Sequence, residues 1–256
     1  MKKSNSISFL LLLCAARLFS QTGDSSWVYK PKVLVIPYEE VMLVSDITNE
    51  LAEGSGMSPF DVKSACRSGL TIAITDEADE RFEATHLLST IDSLGQSPLQ
   101  KVFFSISRSY QAIPTVATSS KRTDSTNTRL SAEEKMNHRF LDKMERHLAA
   151  TVQDTALVTY LHRHFNFDFL LLINQLDFIQ TDDALTKAAG KGERWIRVHY
   201  TLLNSTGKNV SGGIARCSFP KEKNNIWELA LMEFPTCGEQ IWQKLSDAIQ
   251  PLQISE

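Results

Sequence analysis

The chain has 256 residues, of which 42% are hydrophobic and 22% are charged, and its formal net charge at pH 7 is -3. These proportions are ordinary for a globular protein with a buried core. A charge so near zero lacks the basic footprint of nucleic-acid-binding proteins, so we do not expect nucleic acid as a partner. After residue 21 no apolar run approaches the roughly 18 residues that indicate a membrane-spanning helix, so no transmembrane span is predicted there.

The first twenty residues are organised like an export signal. Lys2 and Lys3 precede a largely apolar run at residues 7–16, and small residues follow it. The run is too short to span a bilayer stably, which favours a cleaved signal peptide at residues 1–20. Its Phe-Ser-Gln ending resembles signal peptides of Bacteroidetes-type gram-negative bacteria. We therefore expect an exported protein in the periplasm or at the periphery of the outer membrane.

Lipidation of Cys14 is the alternative way to process the leader. A lipid-accepting cysteine normally follows Gly, Ala or Ser, whereas here Leu13 precedes it. The other interpretation is that Cys14 is a small hydrophobic residue of the leader. The sequence leaves lipidation open.

Three cysteines follow the leader, namely Cys66, Cys217 and Cys237. In an oxidising compartment an odd number indicates either one disulfide with a free thiol or three buried thiols. Cys217 and Cys237 flank a predicted connection between a strand and a helix, so they are the candidate pair, but three buried apolar cysteines are the favoured interpretation.

A polar lead at residues 21–32 precedes a single α/β domain expected over residues 33–252. Residues 33–37 form an apolar, β-branched run that predicts a buried first strand ending at a proline. Ser58 followed by Pro59 predicts the start of a helix, because serine caps and proline suits the first helical position. The core face of this helix follows at spacings near four: Val62, Cys66, Leu70 and Ala73.

The middle of the chain predicts alternating elements and one long loop. Apolar spacing predicts a helix over residues 84–94, and residues 101–106 are typical of a strand. Residues 111–131 are mostly Ser, Thr and charged residues, which predicts a mobile loop that is either functional or disordered. A capping box at Ser131 and Glu134 predicts a long helix whose apolar stripe runs to Val152.

The last third contains the clearest patterns. Residues 168–173 predict a central strand that extends towards Ile179. Residues 196–202 alternate apolar and polar side chains, and a Gly207 turn leads into a return strand at residues 210–219. Residues 226–249 then predict an amphipathic helix, with a break at Pro235 left open. The expected fold is a mixed β-sheet packed with helices, ending in a β-hairpin and an amphipathic helix.

The sequence contains few candidates for catalytic residues. His162 and His164 lie where the long helix is expected to end, and with Asp168 they are the weak candidates for a catalytic site. Histidines at a helix end are more often caps or solvated residues. Known nucleophile, zinc-protease and phosphate-loop motifs are absent from the sequence, so no metal or cofactor is expected.

The order of these elements resembles a known layout. The Val-Leu-Val-Ile-Pro strand at 33–37, the strand at 168–173, and the hairpin at 196–219 with its closing helix resemble one α/β domain. That domain is shared by the curli secretion lipoprotein, the amino-terminal domain of TolB and the lipoprotein activators of penicillin-binding proteins. The resemblance spans residues 33–249 and implies an envelope scaffold, whereas the family's pore activity does not carry over because no pore-forming insertion is evident.

The leading hypothesis is therefore a non-enzymatic envelope protein that binds another envelope protein. Its binding surface is expected to involve residues 111–129 and an exposed sheet edge. A secreted enzyme of unrecognised type and a small-ligand-binding periplasmic protein are the alternatives.

Overall fold

A mixed β-sheet with helices on both faces organises the chain. The structure is a computed structural model that describes residues 29–78, 81–88, 98–113, 146–180 and 193–253. Its strands are β1 (Lys32–Ile36), β2 (Leu43–Ser45), β3 (Glu83–His86), β4 (Ile106–Ala112), β5 (Arg146–Val152), β6 (Phe169–Gln180), β7 (Glu193–Asn204) and β8 (Asn209–Pro220). Its α-helices are α1 (Thr48–Ser55), α2 (Pro59–Asp76), α3 (Pro98–Ser105), α4 (Thr155–Phe165) and α5 (Ile226–Gln253), and a single 3-10 turn covers Glu40–Met42.

The main sheet has the strand order β3-β1-β6-β7-β8, and β2 pairs with β6 beyond the end of β1. Strands β3, β1 and β2 run parallel to their neighbours, whereas β6, β7 and β8 form an antiparallel meander. Strands β4 and β5 form a separate antiparallel pair, which we call the ribbon. The fold is therefore α/β with a mixed sheet, as the sequence predicts.

Two apolar cores lie on opposite faces of the sheet. The larger core packs α1, α2 and α5 against the sheet and includes Trp242, whose indole N–H donates to the carbonyl of Ile74 over 2.6 Å. The smaller core packs α3, α4 and β5 against β1 and the first half of β6. Both faces of β6 are covered, which explains why its first half is a continuous apolar run.

Several predicted elements are confirmed. The hydroxyl of Ser58 accepts from the backbone N–H of Asp61 over 3.1 Å and caps α2, and Pro59 is its first residue. Gly207 adopts a φ of 81° in the turn between β7 and β8, where a side chain would strain the backbone. Helix α5 is unbroken through Pro235. Proline has no N–H to donate to the carbonyl of Leu231 four residues earlier, and because Leu231 is exposed, water can hydrate that carbonyl.

Other predicted elements are wrong. Residues 83–86 form a strand that pairs with β1, rather than the start of a helix over 84–94. Residues 101–105 belong to α3, because Leu99 and Val102 bury one helical face against the smaller core. Phe104 is 91% exposed, so the aromatic residues that favoured a strand at 101–106 do not form a buried strand.

The predicted long helix is wrong in its last part, because residues 146–152 form β5. Its cap at Ser131 and most of its stripe lie outside the described residues. Of the predicted loop at 111–131, the structure describes only residues 111–113. Gln111 and Ala112 are the last two residues of β4. The predicted signal peptide at residues 1–20, which includes Cys14, lies outside the described residues as well.

Candidate functional site

The polar face of β7 is buried rather than solvated. Ile196, Val198, Tyr200 and Leu202 point into the larger core, as the alternation predicts. On the opposite face, His199 and Thr201 are only 2% and 0% exposed. The ribbon covers them, because β5 crosses β6, β7 and β8 on this face. Most polar groups in a buried surface of this kind are expected to have hydrogen-bond partners.

A bulge in β6 supplies more polar residues to this face. Ile173 pairs with Tyr200 and Gln175 pairs with His199, so Asn174 is an extra residue in β6. The extra residue changes the alternation, and Leu176 and Phe178 continue into the larger core. Asn174, Gln175 and Asp177 are thereby available to the polar face. The pair Asn174-Gln175 in an otherwise apolar strand was the sequence signal for this feature.

Strand β5 lies edge-on against the polar face. The backbone N–H of Leu148 donates to Nδ1 of His199 over 2.8 Å, and the backbone N–H of Ala150 donates to Oγ1 of Thr201 over 3.0 Å. The side-chain amide of Asn174 donates to the carbonyl of Leu148 over 2.8 Å. Side chains of the sheet thus take the place of a neighbouring strand along one edge of the ribbon.

Asp177 is the centre of a buried charge cluster. Arg197 donates to its Oδ2 through Nε over 3.1 Å and through a terminal nitrogen over 2.7 Å. The side-chain amide of Gln175 donates to Oδ1 over 2.5 Å, and Nε2 of His199 lies 3.1 Å from Oδ2. Burial by itself raises the pKa of Asp177, but the bonds from His199 and Gln175 and the charge of Arg197 outweigh it and lower the pKa.

The hydrogen bonds of His199 fix its tautomer. A backbone N–H can only donate, so Nδ1 of His199 must accept from Leu148. The ring proton is then on Nε2, which donates to Asp177. Both nitrogens are engaged with protein groups in this arrangement. The Asp177-His199 pair resembles half of a catalytic triad in composition, yet it has no free nitrogen with which to accept a substrate proton.

The rim of the cluster carries groups from the ribbon and from the loop after β1. The hydroxyl of Tyr110 donates to the side-chain oxygen of Gln175 over 3.4 Å. Arg108 forms an ion pair with Glu39 over 3.3 Å. His147 of β5 is 3% exposed and lies against Gly212 of β8, where a side chain would come within 3.0 Å of its ring. These contacts fasten both strands of the ribbon to the main sheet.

The residues predicted as weak catalytic candidates lie elsewhere, around the end of α4. Nδ1 of His162 is 2.7 Å from the carbonyl of Phe167, and His164 packs edge-on against the ring of Tyr160. The carboxylate of Asp168 accepts from the backbone N–H of Lys32 over 2.7 Å, which ties β6 to β1. All three thus have contacts that stabilise the fold. No group of three or more potential metal-ligating residues occurs within the described ranges.

Helix α5 covers the outer edge of β8. The side-chain amide of Gln240 accepts from the backbone N–H of Arg216 over 3.0 Å and donates to its carbonyl over 2.7 Å. Lys244 donates to the carbonyl of Ile214 over 2.6 Å. The structure also joins Cys217 of β8 to Cys237 of α5 in a disulfide with a Cα–Cα distance of 6.2 Å. Helix α5 therefore occupies the outward-facing backbone groups of Ile214 and Arg216, which hinders pairing of a partner strand with this part of the edge.

The fold has low-identity neighbours among solved structures. The hypothetical protein CT253 from Chlamydia trachomatis has a TM-score of 0.41 and 9% identity, over 86% of this chain and 98% of that one. The lipoprotein GNA1162 from Neisseria meningitidis has a TM-score of 0.33 and 13% identity, over 82% of this chain and 97% of that one.

No protein-family profile matches the chain, and no curated protein matches its sequence. The resemblance to the curli secretion lipoprotein, TolB and the penicillin-binding-protein activators therefore stays a prediction. Within the described parts of the chain, none of the helices is both long and apolar enough to cross a membrane.

Proposed function

We propose that the chain is an exported envelope protein that binds another envelope protein, without catalysing a reaction, through the outer edge of β4 and the segment that follows it. The observation that carries this proposal is that the fold covers the edge of β8 while no described residue pairs with the outer edge of β4. An open strand edge can accept a partner strand through main-chain hydrogen bonds.

The hydrogen-bonding pattern of the ribbon identifies which backbone groups of β4 face outwards. Gln153 donates to the carbonyl of Ser105, so these two residues form a bonded pair. Bonded pairs alternate along an antiparallel ladder, which makes Arg108, Tyr110 and Ala112 the residues whose backbone groups point away from β5. The same alternation explains why Leu148 of β5 directs its backbone groups to the main sheet.

The surroundings of β4 favour a recognition role. Its residues from Ser109 to Ala112 are all exposed, and they lead directly into the segment at 114–131. Loops attached to a rigid scaffold commonly carry binding functions. The buried contacts of β5 hold the ribbon in one position, which lowers the entropic cost of binding a partner.

Two features support an extracytoplasmic location. Residues 1–20 have the pattern of an export signal, and the disulfide between Cys217 and Cys237 requires an oxidising environment to form and persist. The engaged nitrogens of His199 favour a structural role for the charge cluster. A secreted enzyme centred on His162, His164 and Asp168 stays an untested alternative, as does a small-ligand binder.

Proline at position 112 tests the proposal. Ala112→Pro removes one outward-facing N–H without removing a ladder bond of the ribbon, and proline is tolerated on such an edge. Ala112→Ser is the matched control. Tagged mature protein is used to capture partners from the envelope fraction of its own host.

We expect one envelope protein to be recovered by the parent chain and by Ala112→Ser, and to be reduced at least several-fold with Ala112→Pro. A second variant that lacks residues 114–129 keeps β4 intact and measures the contribution of the following segment. Recovery that is equal for all four proteins, or no recovery at all, would contradict the proposed binding surface.

A further inference from the structure

We propose that the carboxyl end of β1 is a binding site for a small oxyanion, which Tyr38 and Arg67 hold between the sheet and α2. The chemistry that they recognise is a carboxylate or a phosphate group. This site is separate from the edge of β4, so the inference goes beyond the proposed function and does not depend on it.

Buried polar atoms without partners lie at this end of the sheet. Tyr38 is 0% exposed, and its hydroxyl has no hydrogen-bond partner among the described residues. The same holds for Nε of Arg67 on α2 and for Nδ1 of His86, the last residue of β3. His86 pairs with Val35 in a parallel ladder, so both residues lie on the face of the sheet that α2 covers. Because most buried polar groups have partners, three such atoms at one end of the sheet favour a polar guest.

The surroundings of Tyr38 place its hydroxyl close to the guanidinium of Arg67. Burial raises the pKa of Tyr38 well above its usual range, and the neighbouring Cys66 thiol adds to this effect. The charge of Arg67 opposes the rise, while the carboxylate of Glu40 increases it. Arg67 and Glu40 themselves form an ion pair over 3.3 Å. The Tyr38 hydroxyl therefore keeps its proton, and it can donate to an acceptor that also contacts Arg67.

The guanidinium of Arg67 uses only half of one binding edge. Elsewhere in the chain, Arg197 binds the carboxylate of Asp177 through Nε and Nη2 together. Arg67 presents the same two donors, yet Nη2 alone contacts Glu40 and Nε is without an acceptor among the described residues. This edge of a guanidinium matches the two oxygens of a carboxylate or phosphate. We expect an oxyanion to accept from both nitrogens of Arg67 and from the Tyr38 hydroxyl.

Glu40 competes with the oxyanion and forms the outer wall of the site. The side chains of Arg67 and Glu40 are 23% and 29% exposed, so both can move towards solvent without unpacking the core. Glu40 lies in the 3-10 turn after β1. When its carboxylate leaves Arg67, Nη2 becomes available and the approach to Tyr38 opens. A bound oxyanion and the Glu40 carboxylate repel each other, so the ion pair and the guest are alternative states.

The topology places this site where open α/β sheets commonly bind ligands. Strand β1 is parallel to both of its neighbours, β3 and β6. After β1 the chain continues to α1 and α2 on the larger core, whereas α3, the next described element after β3, packs on the smaller core. A change of side between neighbouring parallel strands forms a crevice at their carboxyl ends, which is a general location for ligand sites.

Titration with inorganic phosphate and, separately, with acetate tests the inference on protein that lacks residues 1–20. Sodium chloride at matched ionic strength is the control for general salt effects. The NMR signal of the Nε–H group of Arg67 reports on the nitrogen that the oxyanion should occupy. We expect a saturable shift of this signal with phosphate, acetate or both, and none with chloride. Absence of a saturable shift with both oxyanions, or an equal shift with chloride, would overturn the inference.

Three variants assign the binding to these side chains. Tyr38→Phe removes only the hydroxyl and should weaken binding about tenfold, because a hydrogen bond to a charged group is lost. Arg67→Lys keeps the charge but loses Nε, and should weaken binding by a similar factor. Glu40→Gln removes the competing charge and should strengthen binding several-fold. Glu83→Gln is the control, because Glu83 pairs with Lys32 at the other end of the β1–β3 ladder.

Urea denaturation separates an oxyanion site from a purely structural role of the hydroxyl. Without oxyanion, removal of an unbonded buried hydroxyl should leave the midpoint of Tyr38→Phe equal to or above that of the parent chain. The oxyanion that binds should raise the midpoint of the parent chain more than that of Tyr38→Phe. Equal affinities of Tyr38→Phe and Glu83→Gln, or weaker binding by Glu40→Gln than by the parent chain, would contradict the proposed site.

Discussion

The disulfide between Cys217 and Cys237 leads to a quantitative prediction. It joins residues 20 apart in sequence, and it connects the edge of β8 to α5. Closing a loop of this length lowers the entropy of the unfolded chain by about 11 cal/mol/K in the chain-entropy relation, which is about 3 kcal/mol at 25 °C. We expect reduction with a phosphine, or the double change Cys217→Ala with Cys237→Ala, to lower the free energy of unfolding by about that amount.

Urea denaturation of the mature protein, followed by tryptophan fluorescence, measures this change. The double variant is the control, because reductant should have no further effect on it. Cys66 is fully buried, and burial raises the pKa of its thiol to about 12, so it should not react in the folded protein. After unfolding without reductant, we expect Cys66 to be the free thiol of a protein made without residues 1–20. Three reactive thiols under those conditions would show that Cys217 and Cys237 are not joined, and an unchanged stability after reduction would contradict the predicted contribution of the disulfide.

Three substitutions test other parts of the structure, each by the same urea assay. Asp177→Ala removes a fully buried carboxylate and leaves its hydrogen-bond donors without their acceptor, so the free energy of unfolding should fall by about 3 kcal/mol. A loss below about 1 kcal/mol would contradict the role of Asp177 as the centre of the cluster. Phe178→Ala removes a ring that packs against Phe219, and should cost about 3 to 5 kcal/mol; a near-neutral result would place Phe178 outside the core. Gly212→Ala would bring a methyl group within 3.0 Å of His147 and should cost about 1 to 3 kcal/mol, and an unchanged stability would mean that β5 is not docked there.

The sequence predicted those elements that have a long periodic pattern or a clear start or turn signal. The hairpin of β7 and β8 has strict alternation and a glycine turn, and α2 begins with a serine cap followed by proline. Such signals are local, so they do not depend on the rest of the fold. Helix α3 and strand β3 are short, and their structure is decided by what they pack against. The run of Val, Phe and Ile at 102–106 has strand-like composition, yet Leu99 and Val102 bury it as a helix.

Local sequence patterns could not predict the candidate site, for a related reason. The polar face of β7 has the alternation of a solvated surface, and only the docking of β5 makes it buried. Residues 146–152 continued a helical stripe in the sequence, so nothing local placed His147 beside His199. The interruption of the apolar β6 strand by Asn174, Gln175 and Asp177 was the one available signal. Polar residues at that position in a central strand require partners, which indicates a buried network.

Photo-crosslinking from β4 in the living host tests whether the edge of β4 binds an envelope protein. A photoreactive amino acid replaces Gln111, which is exposed on β4, and in a control protein it replaces Glu239, which is exposed on α5. We expect the residue at position 111 to crosslink to one envelope protein and the residue at position 239 not to do so. Crosslinks to the same protein from position 239 alone, or from neither position, would contradict a partner-binding role for the edge of β4.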